Sequence, residues 1–372
     1  MRKALVVFLL LFPNLPVVVP GLQLLKMLGT VSLIAVVSKR MRMNLQVLVL
    51  CLFVLLCLVV LVIWNLDGAY LERYVKLAIY ILFAIFYYNY ILNAPTIGDR
   101  FIWFLIAAQV VLLILQTKIE VFRVLYSSSN LIALQRSTGF GVNHHDAGLL
   151  VAILFCGLST RSHRAFAICG LIALVSSVLS GSKTGLIFNI LFFSGVLAVR
   201  VSTVYFVGGV LAIVLAAIFG FQYVICTVNL DMCSAINSVL DFAQNGTTNY
   251  LSIVNRMEDW RVFQDLIRDR PLAMIFGGVG EGEFSRFTNG SDVEVGLVSY
   301  FSNYGIIFTV LLGSIFVAIA RKTATAEFYV LASLLLMFEF LINVSQNSLI
   351  FILLIFVAAH IRRQRKSGYV LS

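Results

Sequence analysis

Long apolar segments alternate with short polar connections along almost the whole chain, and one longer polar stretch interrupts this pattern between Gln222 and Val295. A helix that crosses a bilayer needs roughly 20 mostly apolar residues. The pattern therefore predicts an all-α, polytopic membrane protein with about 12 transmembrane helices (11–13). The predicted spans are 4–19, 22–37, 45–63, 77–92, 101–115, 147–158, 165–180, 186–199, 204–220, 296–319, 327–342 and 347–361.

The predicted spans divide the chain into three regions. Residues 1–221 form an N-terminal transmembrane bundle, residues 222–295 form one large loop with interfacial helices, and residues 296–372 form the C-terminal transmembrane helices and a basic tail. The composition agrees with this organisation, because 61% of the residues are hydrophobic and only 12% are charged. That balance leaves too little polar surface for a water-soluble globule.

Basic residues near the predicted span ends lie on one side of the membrane. Lys and Arg at such positions are retained in the cytoplasm, so their distribution places both termini there and the 222–295 loop outside. The formal net charge of +10 follows from this bias, because the basic residues are scattered over short loops rather than gathered on one surface. We therefore predict no nucleic-acid partner.

The large loop concentrates ionisable side chains, with ten of the seventeen acidic residues and five arginines. Residues 254–268 are predicted to form an amphipathic, interfacial helix. It ends before Pro271, because proline disfavours a helical conformation in its predecessor. A turn-rich segment follows with the glycine run 277–280, whose backbone N–H groups either approach a ligand oxygen or simply form a loop.

Lys183 lies in a turn of small residues between two predicted spans, at the outer face. A lysine here can meet a phosphate at the interface, and the hydroxyls of Ser180, Ser182 and Thr184 can donate hydrogen bonds to the same oxygens. The alternative is a snorkelling lysine that marks a helix end.

Arg256 and Arg261 lie five positions apart on the predicted amphipathic helix. Arginine binds phosphate oxygens in a bidentate manner, and a lipid-linked diphosphate would lie at this depth. The alternative is an exposed helix whose own acids neutralise it. Arg268 and Arg270 extend the cluster and are predicted to support it.

Two carboxylates are predicted to take part in chemistry. Glu294 stands where the chain enters a span, and partial removal from water raises the proton affinity of a carboxylate, as a general base for a sugar hydroxyl requires. The alternative is an acid that stabilises a helix N-terminus. Glu339 lies inside a predicted span, where an ionisable group marks a functional site by default.

His144 and His145 precede Asp146, which invites comparison with a metal site. Adjacent side chains point in different directions, and no second cluster has metal-ligand spacing. We therefore expect no metal and no cofactor, with Asp146 capping the next helix and the histidines in a solvated loop.

Cysteines fall into two groups. Cys226 and Cys233 lie in the loop placed outside, where they form either a local disulfide or two free thiols. The others lie in apolar spans and are predicted to be small packing residues: Cys51, Cys57, Cys156 and Cys169.

The C-terminal half of the chain resembles the O-antigen polymerase and O-antigen ligase group of bacterial envelope proteins. Each matching motif is degenerate, and their order and topology carry the resemblance. The motifs are Ser-Gly-Ser-Lys-Thr-Gly at 180–185, Arg256-x-x-x-Trp260, Pro271 leading to Phe276-Gly277-Gly278-Val279-Gly280, and Asp292-Val293-Glu294 followed by Tyr300-Phe301-x-x-Tyr304-Gly305.

This resemblance implies a metal-independent, inverting glycosyltransferase embedded in the bacterial inner membrane, with the large loop in the periplasm. Its substrates would be an undecaprenyl-diphosphate-linked glycan donor and acceptor, and its other partners membrane lipids and a chain-length regulator. Lys183, Arg256 and Arg261 would bind the diphosphate, and Glu294 would act as the base.

Two departures from the family pattern bear on the assignment. The ligases are expected to use a histidine near the return span, and none of the four histidines lies in 222–295, which favours a polymerase. Family members usually show Ser-Arg where this chain has Ser182-Lys183, which weakens the phosphate assignment. The alternatives are a ligase that transfers glycan to lipid A-core and a lipid-linked oligosaccharide flippase or transporter, although the predicted spans carry few charges for the latter.

Overall fold

The computed structural model describes residues 98–119, 139–140, 145–159, 162–200, 251–279, 295–323, 325–339 and 348–366, with single residues at 137 and 284 and scattered positions before 98. These residues form helices joined by turns, and no strand occurs among them. The all-α prediction is confirmed for this part of the chain. The predicted spans before residue 93 lie almost entirely outside the described residues, and the span 204–220 lies outside them.

Apart from the short helix that begins at Pro271, the helices coincide to within a few residues with the predicted apolar segments and with the predicted amphipathic helix. In chain order they are α1 (Asp99–Lys118), α2 (Asp146–Gly157), α3 (His163–Leu179), α4 (Lys183–Arg200), α5 (Leu251–Asp269), α6 (Pro271–Phe276), α7 (Gly296–Thr323), α8 (Ala326–Glu339) and α9 (Ser348–Lys366).

By length and composition, two of the described helices are able to cross a membrane, namely α1 and α4. Four shorter apolar helices have 10–17 residues. They are α2, α3, the first part of α7 (Gly296–Leu311) and most of α8 (Ala326–Phe338).

The chain divides into two compact units, each built from separate stretches. The first unit consists of Gly98–Met257, Ala324–Phe338 and Leu371–Ser372, and the second consists of Met1–Ile97, Glu258–Thr323 and Glu339–Val370. Helices α1 to α4 and nearly all of α8 therefore belong to the first unit. Helices α6, α7 and α9 belong to the second, together with most of α5.

Helix α2 is the centre of the first unit, and all of its residues are buried. The ring of Phe155 on α2 meets the rings of Phe166 on α3 and of Phe192 and Phe193 on α4, with centroids 5.6–6.3 Å apart. Such aromatic contacts stabilise a core beyond the area they bury. The predicted packing role of Cys156 and Cys169 is confirmed, since both are buried free thiols.

An ion pair closes one end of this aromatic core. Arg200, the last residue of α4, donates to Oε1 of Glu327 in the first turn of α8 over 2.7 Å. Its guanidinium carbon lies 5.6 Å from the ring centroid of Phe155 and 5.8 Å from that of Phe166. The charge is thus held by a carboxylate and by two aromatic faces.

The second unit is built around α5, α6 and α7. Residues of α5 that recur at helical spacing, among them Val262, Phe263 and Leu266, pack with Met274 of α6 and Val298 of α7 in one buried cluster. Phe263 and Phe301 stack with centroids 5.5 Å apart. Predicted as turn-rich, the segment after Arg270 is instead the short helix α6, because Pro271 occupies its first position, where the missing N–H has no helical partner to lose.

Helix α7 is interrupted at Gly305, whose φ is 80° and ψ 163°. A regular helix would use the Ser302 carbonyl for the N–H four residues on, but here it accepts from the N–H of Val279 over 2.7 Å. Gly278 has φ 71°, and a Cβ atom there would collide with the Ser302 carbonyl oxygen. The glycine run therefore lets the backbone after α6 contact the kink of α7 directly.

Candidate functional site

Ser180, Gly181 and Ser182 connect α3 to α4 in a tightly hydrogen-bonded turn. The Ser182 N–H donates to the Ser177 carbonyl over 2.9 Å, and the Ser182 hydroxyl caps α4 by accepting from the Gly185 N–H over 2.9 Å. The Ser180 hydroxyl donates to the Ser177 carbonyl over 3.0 Å. Both serines are buried.

This geometry corrects one expectation about the turn. The hydroxyls of Ser180 and Ser182 do not face a phosphate, because they close the turn and cap α4. Lys183 and Thr184 are the partly exposed residues of the motif. The serines fix the backbone from which Lys183 extends.

The turn meets the start of α2. The Nδ1 atom of His145 lies 3.0 Å from the Ser182 Oγ atom, and the His145 carbonyl oxygen lies against Gly185. The first residues of α2 and α4 are therefore adjacent. The structure thus brings together two polar motifs that are 37 positions apart in the sequence.

His145 and Asp146 differ from their predicted environments. His145, the residue before α2, is half-buried against Ser182 rather than solvated. Asp146 is the first residue of α2 and is buried, and no side-chain cap precedes it. A carboxylate in the first turn still stabilises the helix through its dipole. No group of three His, Cys, Asp or Glu side chains able to hold a metal ion occurs among the described residues.

Two glutamines on α1 fix the chain before α2. Gln116 donates to the Gly139 carbonyl over 3.1 Å and accepts from its N–H over 2.7 Å. Gln109, two turns earlier, accepts from the Phe140 N–H over 2.7 Å and donates to the Ala147 carbonyl over 3.2 Å. Both glutamines are buried, so hydrogen bonding compensates for the desolvation of their amides.

These contacts show where along the length of α1 the start of α2 and the Lys183 turn lie. Gln109 is the eleventh of the twenty residues of α1, so it lies roughly 15 Å from either end of the helix. Since Gln109 contacts the first turn of α2, α2 begins near the middle of α1. The His145–Ser182 contact, and Lys183 with it, therefore lies well short of the Lys118 end of α1.

A buried polar network continues beneath the turn. Asn189 donates to the Ser177 hydroxyl over 3.0 Å and to the Gly185 carbonyl over 2.8 Å. The Ser177 hydroxyl donates in turn to the Ala173 carbonyl over 3.0 Å. These bonds join α3 to α4 below Lys183. The turn is therefore supported by its own bonds and by the helices beneath it.

The arginine helix α5 has a different character. Arg261 is exposed and holds Glu258 in a bidentate pair, with Nε donating to Oε2 over 2.9 Å and Nη2 to Oε1 over 2.6 Å. These hydrogen bonds lower the pKa of Glu258 below its ordinary value. The guanidinium fork that was predicted to bind phosphate is thus occupied by a carboxylate of the same helix, as the alternative interpretation proposed.

The other predicted site residues are distributed as follows. Arg256 is half-buried, whereas Arg268 and Arg270 are exposed. Glu339 is the last residue of α8. Glu294 lies outside the described residues, as do Cys226 and Cys233.

Asp259 is a functional candidate that the sequence analysis did not identify. It is only 2% exposed, and its Oδ2 atom accepts a hydrogen bond from the Val295 N–H over 3.2 Å. Val295 immediately follows Glu294, so Asp259 holds the peptide group on the C-terminal side of the predicted base. The sequence could have indicated this burial, because Asp259 lies three positions before Val262 and four before Phe263 and is therefore on the apolar face of α5.

The glycine run does not provide a ligand cradle at its described residues. The N–H groups of Gly277 and Gly278 donate to the Ala273 carbonyl, and that of Val279 donates to the Ser302 carbonyl. All three donors are used within the protein. The loop alternative therefore accounts for residues 277–279.

Comparison of the chain with protein-family models and with curated protein sequences gives no match.

Proposed function

We propose that this protein is a membrane-embedded polysaccharide polymerase. It would join undecaprenyl-diphosphate-linked oligosaccharide repeat units, of O-antigen or a related surface polysaccharide, by metal-independent inverting glycosyl transfer at the periplasmic face. In this proposal the chain crosses the bacterial inner membrane about 12 times with both termini in the cytoplasm. The reaction needs a cationic site for the diphosphate leaving group and a base for the acceptor hydroxyl.

The observation that carries the proposal is the construction of the Lys183 turn. A partly exposed cation extends from a backbone that is fixed by Ser182, by His145 and by the network beneath it. A cation held in this way binds the diphosphate, which is charged in the substrate as well as in the transition state.

The position of this turn suits a lipid-linked substrate. If α1 spans the bilayer, the turn lies below the level of the outer end of α1, because α2 begins near the middle of that helix. A diphosphate attached to a membrane lipid would approach the turn at this level. The sugar part would then remain toward the periplasm. Glu294 is proposed to act as the base.

The arginines of α5 have a graded role in this proposal. Arg256 is proposed to bind the diphosphate. Arg261 binds it by exchanging Glu258 for phosphate, and such exposed pairs are weak enough to exchange. Arg268, Arg270 and Glu339 support the site, and no cofactor takes part.

A deletion and complementation experiment tests the proposal. Cells that lack the gene receive wild type, Lys183→Arg, Lys183→Gln or Glu294→Gln, and surface and lipid-linked glycans are separated by length. We expect single repeats to accumulate in the deletion, with Lys183→Gln and with Glu294→Gln. Lys183→Arg should restore long chains, because arginine keeps the cation and binds phosphate in a bidentate manner.

The same experiment separates the alternatives. Long chains that stay lipid-linked in the deletion would show a ligase that transfers glycan to lipid A-core. A flippase is favoured by one observation, the buried polar groups where α2 begins, since buried polar residues within membrane spans mark transport pathways. Repeats trapped on the cytoplasmic leaflet would indicate that function.

A further inference from the structure

We infer that His145 is a positioning residue for the diphosphate site, which it serves by fixing Ser182 and, through Ser182, the first turn of α4 that carries Lys183. This inference rests on the proposed function of Lys183. It concerns a residue that the sequence analysis placed in a solvated loop. The inference rests on the contact between His145 Nδ1 and Ser182 Oγ, which joins the start of α2 to the start of α4.

The hydrogen-bonding capacity of Ser182 explains why both of its partners fit. A hydroxyl carries one proton and two acceptor lone pairs. One lone pair accepts from the Gly185 N–H. The remaining proton and lone pair allow the hydroxyl either to donate to a neutral His145 Nδ1 or to accept from a protonated one. The contact therefore forms in either tautomer without giving up the helix cap.

Ser182 is also held from below, because its N–H donates to the Ser177 carbonyl. The turn is thus fixed to α3 through its backbone and to α2 through His145. Lysine has a flexible four-carbon stem, so its ammonium group is placed only as well as its backbone is placed. Loss of the His145 contact would leave the hydrogen bond to Ser177 of α3 intact, but the turn would no longer be held to α2 through Ser182.

The geometry argues against a nucleophilic serine–histidine pair. The Ser182 side chain is fully buried and its oxygen already accepts the capping hydrogen bond. An attacking hydroxyl must reach substrate and must be free to lose its proton. The contact therefore serves to hold the turn rather than to activate the serine.

The experiment measures transfer kinetics in membrane vesicles that contain the full-length chain, with a purified lipid-linked single repeat as substrate. His145→Leu and Ser182→Ala should each raise KM by about three- to tenfold, the range expected for one hydrogen bond, and should leave kcat unchanged. Ser182→Ala also removes the cap of α4. Because both variants remove the same contact, the double variant should raise KM by less than the product of the two single effects. The amount of each variant in the membrane is measured in parallel.

Two further variants serve as rescue and control. His145→Asn places an amide atom at the position of Nδ1, so KM should stay within about twofold of wild type. His163→Leu changes an exposed histidine at the first position of α3 and should leave KM unchanged. If His145→Leu does not accumulate, His145→Asn and Ser182→Ala carry the test.

The outcomes separate this inference from the proposed function. Wild-type KM with His145→Leu, effects that multiply in the double variant, or failure of His145→Asn to restore KM would overturn the positioning role. Lys183→Gln is measured beside them. If it raises KM and His145→Leu does not, only the inference fails. If it leaves KM unchanged, the proposed diphosphate site fails, and if wild type makes no product, the proposed function fails.

Discussion

The buried carboxylate of Asp259 accepts a hydrogen bond from the Val295 N–H over 3.2 Å, across 36 positions of sequence. This contact joins the arginine helix α5 to the residue that immediately precedes α7. Because Val295 follows the proposed base Glu294, α5 both carries arginines and holds the chain at the entrance to α7. A single acidic residue therefore joins α5 to the segment that carries the proposed base.

Replacement of Asp259 tests this link. Asp259→Ala leaves the Val295 N–H without its acceptor in a buried setting, and we expect a loss of about 1–3 kcal/mol in stability. Asp259→Asn keeps an acceptor oxygen and should retain more of that stability. The thermal midpoint of the detergent-solubilised chain measures the difference. Asp265→Ala, at an exposed position of the same helix, is the control, and an equal shift with Asp265→Ala would contradict the assignment.

The Arg200–Glu327 pair predicts a second stability effect. Arg200→Leu removes the cation that pairs with the mostly buried Glu327 carboxylate and lies over the ring of Phe155. We expect a loss of about 2–4 kcal/mol in stability. Adding Glu327→Gln should recover part of this loss, because a neutral amide is less costly to bury than a carboxylate that has lost its cation.

Arg164, an exposed arginine of α3, is the matched control for Arg200. Arg164→Leu should leave the free energy of unfolding, derived from the thermal midpoint, within about 0.5 kcal/mol of wild type. Failure of Glu327→Gln to recover any stability in the Arg200→Leu background would show that the ion pair does not determine the effect.

The kink of α7 predicts contrasting effects of two glycine substitutions. Gly278→Ala adds a Cβ atom where φ is 71° and where the Ser302 carbonyl oxygen leaves no room. We expect it to cost about 1–3 kcal/mol. Gly313→Ala adds the same atom at an open position of α7 and should be neutral or slightly stabilising. Equal thermal midpoints for the two variants would rule out the proposed packing at the kink.

The Glu258–Arg261 pair predicts an effect on substrate binding. Glu258→Gln removes the competing carboxylate, so KM for the lipid-linked repeat should fall by about two- to threefold at neutral pH. Asp269→Asn, at another exposed acid of α5, should not change KM. A KM that stays constant in both variants would remove Arg261 from the diphosphate site.

The pH dependence of this pair has a definite sign. Arg261 lowers the folded-state pKa of Glu258, so the pair stabilises the fold fully above the unfolded pKa. This contribution is lost as pH falls through the lowered folded value. The stability difference between wild type and Glu258→Gln should therefore shrink on acidification and stay constant above neutral pH. A difference that grows on acidification would contradict the assignment.

Helix positions in the described part of the chain were predictable because apolar segment length is a local property of the sequence. Helix α6 was not predicted, since Pro271 was interpreted only as the end of α5 and not as the first residue of another helix. The position along α1 at which α2 begins was also not predicted. The sequence did contain a signal for it, namely Gln109 and Gln116 in an apolar segment. Their spacing of seven positions places both on one helix face.

The site was only partly predictable. The sequence indicated the Lys183 turn and the histidines before α2 as candidate sites. The contact between His145 and Ser182 was not predictable, because these residues are 37 positions apart and meet only through the packing of α2, α3 and α4. The buried location of Asp259 and the pairing of Arg261 with Glu258 likewise follow from which face of α5 the core covers.

The central claim is most directly tested by elongation in a purified system. The full-length chain is reconstituted in liposomes with purified lipid-linked single repeats, and product lengths are measured for wild type and Lys183→Gln at equal protein. The proposal predicts lipid-linked products of two or more repeats with wild type and a strong loss of them with Lys183→Gln. Unchanged single repeats with the wild-type chain would contradict polymerase function.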